Sequence, residues 1–371
     1  MKSLLKALGM LAFLVSVSTS SALAQTAPYV RTIIVPSNST AAANGTALLA
    51  AIAGISPAPS FSTRWLIKLE PGIYNVGTTP VVLSQYVDIE GSGVLQSIIQ
   101  GAVIPPFPSV IGGLVQGASN SEIRNLTVNC VSTSGTTTGC QAVSLYSANA
   151  RLSQVRILCQ GTDTGSHWGI RTYDSSPILD DVEINVSTTG TSTNNYGIVY
   201  GGSSTLNVLR SSITVFGGSG DNVGIVMRDT PLWSLMRDSS VTAYGGLRAF
   251  GVGYISAGGS AAVSFDNVIV SAHSASTATA GIGVHSGGFP TPALFFRAGR
   301  IYSTGSGIEI LGADITTDHT EIESYGNAVL GTNINVSFTR LRGTGVTTGA
   351  TSAACAANVD AAGVFQASAC P

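Results

Sequence analysis

Short apolar patches, separated by Asp, Ser, Pro and Gly, recur along the chain with a regular spacing. The stretch from Ser166 to Gly190 contains three of them, at Gly169–Thr172, Ile178–Leu179 and Val182–Ile184. The first patch returns with its central apolar residue at Val143, Ile170, Ile198, Ile225, Val252, Ile282, Ile308 and Val329. The interval of 26 to 30 residues, which shortens to 21 at the end, is typical of a solenoid built from stacked coils.

The third patch alternates apolar and polar residues, as in Val182–Ile184 and Val155–Ile157. Alternation indicates a strand, because successive side chains of a strand point to opposite faces. We therefore predict an all-β solenoid with three strands per coil and about 9–10 coils.

The first 24 residues have the pattern of a secretory signal. Lys2 and Lys6 precede an apolar run from Leu8 to Val17, and Ala22–Ala24 provides small residues for cleavage. We expect a secreted protein, whether periplasmic, extracellular or attached to the cell surface. The apolar run is too short to cross a bilayer, so we expect no membrane span in the mature chain.

A helical pattern follows this segment, where Asn44–Thr46 precedes Leu48, Leu49, Ile52 and Ile55. The pattern predicts a short amphipathic helix that covers the open end of the solenoid. The predicted organisation is therefore a signal peptide (1–24), an N-terminal capping segment with the helix (25–63), the parallel β-helix (64–345) and a C-terminal tail closed by a disulfide (346–371).

The run from Ile67 to Gly101, IKLEPGIYNVGTTPVVLSQYVDIEGSGVLQSIIQG, resembles the first coils of the pectin-lyase-like, pectinesterase-like superfamily. The resemblance lies in I-x-L-x-P-G-x-Y, in V-x-I-x-G-x-G and in S-I-I-x-G. It implies a right-handed, single-stranded parallel β-helix. That fold carries esterases, lyases, hydrolases, tailspikes and passive adhesins, so the resemblance predicts a fold and no particular activity.

Catalytic signatures of these enzyme groups are missing from the sequence. Of the polygalacturonase motifs only Asp180–Asp181 is present, where other coils carry Ser211–Ser212 and Ser239–Ser240, so a turn is the simpler interpretation of the doublet. The four histidines occupy different phases of the repeat, and no acidic cluster suited to calcium is evident. We expect no metal site and no cofactor.

One pair of carboxylates shares a phase of the repeat. Asp174 aligns with Gly202 and then with Asp229, and the preceding residues Tyr173 and Arg228 align in the same way. Two coils would separate the carboxylates by about 9.6 Å, near the upper limit for inverting glycoside hydrolysis. Asp174 and Asp229 are therefore candidate catalytic residues, and Tyr173 and Arg228 candidate substrate contacts. The alternative is that both aspartates form turns.

A second column is aromatic, because Trp168, Tyr196 and Phe250 all precede the Gly-Ile patch. On an outer face Trp168 and Tyr196 would bind sugar rings. Strict alternation, however, places Trp168 on the same side as Ile170, inside the core. Stacked interior aromatic residues are therefore the alternative interpretation.

Five cysteines are present, and export permits disulfides. Cys355 and Cys370 bracket the Ala-rich tail and are expected to close it. Cys130, Cys140 and Cys159 allow one further pair, of which Cys130 with Cys140 is one possibility.

Composition narrows the function further. Only 10% of the residues are charged and the net charge is −2, so no basic surface for nucleic acid is expected. Ser and Thr fill most polar strand positions. We expect a non-catalytic protein that binds extracellular or cell-surface polysaccharide or acts as an adhesive or structural rod. The alternative is a polysaccharide hydrolase, lyase or esterase.

Overall fold

A computed structural model describes residues 29–37, 40–102, 112–132, 139–189, 194–228, 233–255, 262–274, 281–286, 293–305, 308–324, 329–337, 339–342, 346–356, 358–359 and 365–366. These residues form 29 strands and one helix. The predicted signal segment 1–24 lies outside them. No helix in the described ranges has the length and apolar character needed to cross a membrane.

The helix, α1, spans Ala41–Ala53. The strands are β1 (Arg31–Val35), β2 (Trp65–Leu69), β3 (Gly72–Gly77), β4 (Val81–Val82), β5 (Val87–Glu90), β6 (Ser97–Gly101), β7 (Val115–Gln116), β8 (Glu122–Ser132), β9 (Cys140–Tyr146), β10 (Arg151–Gly161), β11 (His167–Tyr173), β12 (Ile178–Thr188), β13 (Asn194–Gly201), β14 (Asn207–Leu209), β15 (Ser212–Gly217), β16 (Asp221–Arg228), β17 (Ser234–Tyr244), β18 (Arg248–Ile255), β19 (Ala262–His273), β20 (Gly281–Ser286), β21 (Ala293–Arg297), β22 (Arg300–Ser303), β23 (Ile308–Asp318), β24 (Glu321–Ser324), β25 (Val329–Ser337), β26 (Arg340–Arg342), β27 (Val346–Ala356), β28 (Asn358–Val359) and β29 (Phe365–Gln366).

Strands pair in parallel with their equivalents in the neighbouring coils. In the middle of the chain, β11 lies between β9 and β13, and Ile170 is opposite both Val143 and Ile198, as the repeat predicts. The predicted right-handed parallel β-helix is confirmed, with about 7 turns rather than the 9–10 coils expected.

A coil contains three strand segments, two of which meet at a sharp corner. The first segment is a strand such as β9 or β11. The other two are the halves of a bent strand such as β10, whose Gln154 at the bend has a left-handed backbone with φ 53°. Equivalent corner residues are Asn125, Asp181, Arg210, Asp238 and Asn267, with φ between 47° and 57°. The Asp180–Asp181 doublet thus occupies a corner.

Glycine occupies the position after the aromatic column because two sheets approach closely there. A Cβ atom on Gly197 would lie 2.4 Å from Ile213 Cγ2 and 2.4 Å from the carbonyl oxygen of Gly224. Gly169, Gly224 and Gly251 are equally crowded. This column explains why Gly precedes the apolar residue in consecutive coils.

The helix begins earlier than predicted, because Thr40 rather than Asn44 caps it. The Thr40 hydroxyl accepts a hydrogen bond from the Ala43 amide (3.3 Å), and Asn44 lies within the helix, where its side-chain amide donates to the Ile73 carbonyl (3.1 Å). Leu48 is fully buried in the core. The helix therefore packs on β3, at the first coils of the solenoid.

Strand stacking continues past residue 345, since β27 pairs in parallel with β25 and one residue of β28 pairs with β26. The predicted Cys355–Cys370 disulfide cannot be followed there, because Cys370 lies outside the described residues.

Candidate functional site

A row of side chains follows the C-terminal ends of β9, β11, β13 and β16. Tyr146 and Tyr173 are opposite each other in register, and their rings stack with centroids 6.1 Å apart and planes 9° from parallel. Gly201 is opposite Tyr173 in the next coil, and Arg228 ends the strand after that. Tyr146 is 44% exposed and Arg228 is also exposed. We call Tyr146, Tyr173, Gly201 and Arg228 the tyrosine row.

Gly201 has no side chain and separates Tyr173 from Arg228 in this row. A Cβ atom there would contact both Tyr173 Cδ2 and Arg228 Cβ at 3.3 Å, so the residue lies directly between the ring and the arginine. Arg228 makes no hydrogen bond or ion pair with any described residue. Its guanidinium donors are therefore available to a ligand beside the tyrosine faces.

Asp174, a candidate catalytic residue, follows Tyr173 at the end of the strand. Its backbone is left-handed with φ 49°, and its carboxylate accepts a hydrogen bond from the Ser203 amide (2.9 Å) in the next coil. A side chain on Gly202 would collide with this carboxylate. The contact gives Asp174 a structural role at the turn. Asp229, its proposed partner, lies outside the described residues, and the carboxylate pair stays a prediction.

Trp168 and Tyr196 stack as the sequence predicted, with centroids 6.2 Å apart. They belong to a small apolar cluster with Val199, Val226 and Phe250, separate from the main core that contains Ile170. The expectation that Trp168 shares a side with Ile170 was wrong, because alternation is interrupted at Gly169, whose Cβ position faces the core residue Ile184. Trp168 is only 9% exposed, whereas Tyr196 is partly buried.

Arginines surround this cluster. Arg171 lies over the Trp168 ring at 5.7 Å, and Arg248 pairs with Asp221 at 2.5 Å. Burial and the nearby Arg228 both lower the pKa of Arg171. Burial raises the pKa of Tyr196, an effect that Arg228 opposes. The guanidinium groups of Arg171 and Arg228 are therefore close enough to repel each other.

A Ser–His–Asp group lies inside the solenoid. His167 Nε2 is 2.9 Å from Ser132 Oγ and 3.3 Å from Asp163 Oδ1, and the His167 and Asp163 side chains have no exposed surface. Both partners approach the same ring nitrogen, whereas a catalytic triad uses one nitrogen for each. Burial lowers the pKa of His167, so the ring is neutral and contributes to packing rather than to catalysis.

The described residues give little indication of a metal site or of a reactive thiol. Those ranges contain no group of three or more His, Cys, Asp or Glu residues that could hold a metal ion. Cys130 and Cys140 form a disulfide, and Cys159 is free and buried. Burial raises the pKa of the Cys159 thiol, which makes it a poor nucleophile.

Tyr146 was missed in the sequence, although a signal for it exists. It follows Val143 by three residues, as Tyr173 follows Ile170, so it occupies the same phase of the repeat as Tyr173. Extending the column of Tyr173 and Arg228 by one coil toward the N-terminus identifies Tyr146.

No family profile matches the sequence, and no curated protein matches it. Solved structures with a similar backbone include the A-module of mannuronan C-5 epimerase AlgE6 from Azotobacter vinelandii, with 13% identity, a TM-score of 0.44, and coverage of 85% of this chain and 95% of that chain. Pectate lyase Pel9A has 12% identity and a TM-score of 0.45, over 89% of this chain and 80% of that chain. The catalytic domain of a GH87 α-1,3-glucanase has 11% identity and a TM-score of 0.46, and the match covers 90% of this chain and 64% of that chain. We transfer no functional residue from them.

Proposed function

We propose that the chain is a non-catalytic, exported β-helix protein that binds an extracellular or cell-surface polysaccharide along the tyrosine row. The observation that carries this proposal is the stacked pair Tyr146–Tyr173 beside Arg228, which makes no hydrogen bond or ion pair with the residues that the structure describes. Exposed aromatic rings make apolar contacts with sugar rings, and a guanidinium group donates two parallel hydrogen bonds to a carboxylate.

The row runs along the helix axis, because its members are equivalent residues of consecutive coils. Neighbouring strands are about 4.8 Å apart, a distance close to the length of one sugar ring in an extended chain. A linear polysaccharide parallel to the axis would thus pass over the two tyrosines, then Gly201 and then Arg228. Because Arg228 brings a guanidinium group to the row, we expect a preference for acidic sugars.

Export is supported by the Cys130–Cys140 disulfide, because disulfides persist in oxidising compartments. Lack of catalysis is supported by Asp174, whose carboxylate already bonds the Ser203 amide. The alternative, a polysaccharide-active enzyme with Asp174 and Asp229 as its carboxylates, predicts products as well as binding.

The proposal is tested by electrophoresis of the mature protein in gels that contain either a polyuronate or a neutral glucan. We expect the polyuronate to retard the protein, and Arg228→Gln to weaken this binding about tenfold, the loss of roughly 1.4 kcal/mol. Arg156→Gln is the matched control, because Arg156 lies in β10, away from the row, and pairs with Glu183. Absence of binding to any polysaccharide would contradict the proposal and leave a structural rod.

The enzymatic alternative is tested on the same samples. Reducing ends, unsaturated products and released methanol or acetate are measured after long incubation. We expect none. If the wild type forms a product and Asp174→Asn does not, the protein is instead an enzyme that uses Asp174.

A further inference from the structure

A second surface, on different strands from the tyrosine row, carries polar side chains that bond no residue in the described ranges. It is the concave corner where the two halves of each bent strand meet. A groove of about 760 Å³ follows this corner. The corner residues of consecutive coils line it, and they are Asn125, Gln154, Asp181, Arg210, Asp238 and Asn267. We call this surface the corner groove.

The left-handed backbone is what places these residues in the groove. Each one turns the chain between a segment such as Arg151–Ser153 and a segment such as Val155–Gly161, both of which pair in register with the next coil. The corner residue itself is skipped by the pairing. Its side chain is therefore not fixed by the strands, and five of the six corner residues are exposed, with Asn125 partly buried.

Three of these side chains have no partner. Asn125, Gln154 and Asp181, in three successive coils, make no side-chain hydrogen bond or ion pair with any described residue. Arg210 is occupied, because its guanidinium pairs with Asp180. The groove therefore offers a carboxylate and two amides at intervals of about 4.8 Å along the axis.

The charges of the groove determine what it accepts. The lining contains the carboxylates of Asp181, Glu183 and Asp238 and the guanidinium of Arg210. Arg156 pairs with Glu183 and Arg210 pairs with Asp180, so Asp181 and Asp238 determine the charge of the groove. An acidic polymer would be repelled. Strand addition by a peptide is also disfavoured, because the backbone groups that flank the groove are already paired from coil to coil.

We propose that the corner groove binds a neutral, hydroxyl-rich glycan chain that lies parallel to the helix axis. Its hydroxyl groups donate to the Asp181 carboxylate and exchange hydrogen bonds with the amides of Gln154 and Asn125. Six coils cover about 24 Å at a spacing of about 4.8 Å, enough for several sugar units. Ile269, 49% exposed at one end, adds an apolar contact. This site is independent of the tyrosine row and of the function proposed for it.

The site is tested by isothermal titration calorimetry of the mature protein. The ligands are neutral hexasaccharides of glucose and of mannose, in α and β linkages. We expect at least one to bind, and the double variant Gln154→Ala/Asp181→Ala to weaken it at least tenfold. Ser240→Trp, which fills the groove from an outward-facing strand position, should weaken it as well.

Two matched controls separate the surfaces. Asp174→Ala removes another exposed aspartate with a left-handed backbone, at a different corner, and Tyr173→Ala disrupts the tyrosine row. Both should leave neutral hexasaccharide binding unchanged. The proposal is overturned if no neutral hexasaccharide binds, if the groove variants bind as well as the wild type, or if Tyr173→Ala alone abolishes the binding. Urea midpoints equal to that of the wild type show that the groove variants are folded.

Discussion

Tyr146 and Tyr173 stack nearly face to face in adjacent coils, with ring centroids 6.1 Å apart. The pair forms at strand ends, where Asp174 turns the chain. Because Tyr146 is 44% exposed, the stack is not part of the core, and burial of apolar surface does not account for it. The parallel β-helix supports such a row because its register repeats the same position at every coil.

Removal of one ring from this stack should weaken polysaccharide binding. We expect Tyr173→Ala to reduce polyuronate affinity about tenfold, since an aromatic contact contributes about 0.5–1.5 kcal/mol beyond its buried area. Tyr173→Phe keeps the ring and should retain most of the affinity. Affinity electrophoresis compares the variants, and an equal loss in both would assign the effect to the hydroxyl rather than to stacking.

The glycine column should be intolerant of side chains. Gly197→Ala would place Cβ 2.4 Å from both Ile213 and a backbone oxygen, so the two sheets must separate. Overpacking of this kind costs about 1–3 kcal/mol, and we expect the free energy of unfolding in urea to fall by at least about 2 kcal/mol. Gly201→Ala is the control, since its Cβ would meet neighbours at 3.3 Å. Equal stability of the two variants would contradict the close approach.

How far the sequence determines this structure is clear from individual residues. The register of Ile170 with Val143 and Ile198 was predictable, because equivalent residues of successive repeats lie opposite each other in a solenoid. The side on which Trp168 lies was not, because the interruption at Gly169 depends on how closely two sheets approach. The corner positions were also hidden, since Gln154 and Arg210 are unusual residues for a left-handed backbone.

An interior asparagine pair should be important for stability. The Asn222 side-chain amide donates to the carbonyl oxygens of Gly217 (2.8 Å) and Tyr244 (3.0 Å), and its oxygen accepts from Asn195 (2.8 Å). Asn222→Ala removes these three hydrogen bonds, although Asn195 still donates to the Gly217 carbonyl (3.3 Å), and each lost bond costs about 0.5–1.5 kcal/mol. We expect the urea midpoint of Asn222→Ala to be lower than that of Asn207→Ala, because the Asn207 side chain bonds no described residue. Similar midpoints for the two variants would argue against a structural role for the pair.

Alkaline pH should destabilise the N-terminal coils. Burial raises the pKa of Tyr74 to about 12, and burial and the hydrogen bond to Asp88 raise the pKa of Tyr29 to about 12. In the unfolded chain both ionise near pH 10. Between pH 10 and 12 the unfolded state therefore loses protons first, so stability is complete below pH 10 and falls as the pH rises.

Tyr74→Phe separates this effect from general alkaline damage. The variant loses the hydroxyl proton that Tyr74 shares between the carbonyl oxygens of Val35 and Glu70, both 2.9 Å away, and should be less stable at pH 8. Because phenylalanine cannot ionise, its urea midpoint should fall less than that of the wild type between pH 10 and 12. A parallel decline in both proteins would show that Tyr74 does not control the alkaline transition.

The free thiol should be protected in the folded chain. Cys159 has no exposed surface, its sulfur lies 3.4 Å from the carbonyl oxygen of Cys140, and burial raises its pKa. We expect a charged alkylating reagent at pH 8 to modify it at least about 100-fold more slowly than the thiol introduced by Ser203→Cys, an exposed position. In denaturant the two should react at similar rates. Peptide mapping by mass spectrometry follows both thiols and the Cys130–Cys140 disulfide in one sample. Rapid modification of Cys159 in the folded protein would show that the coils around this disulfide open readily.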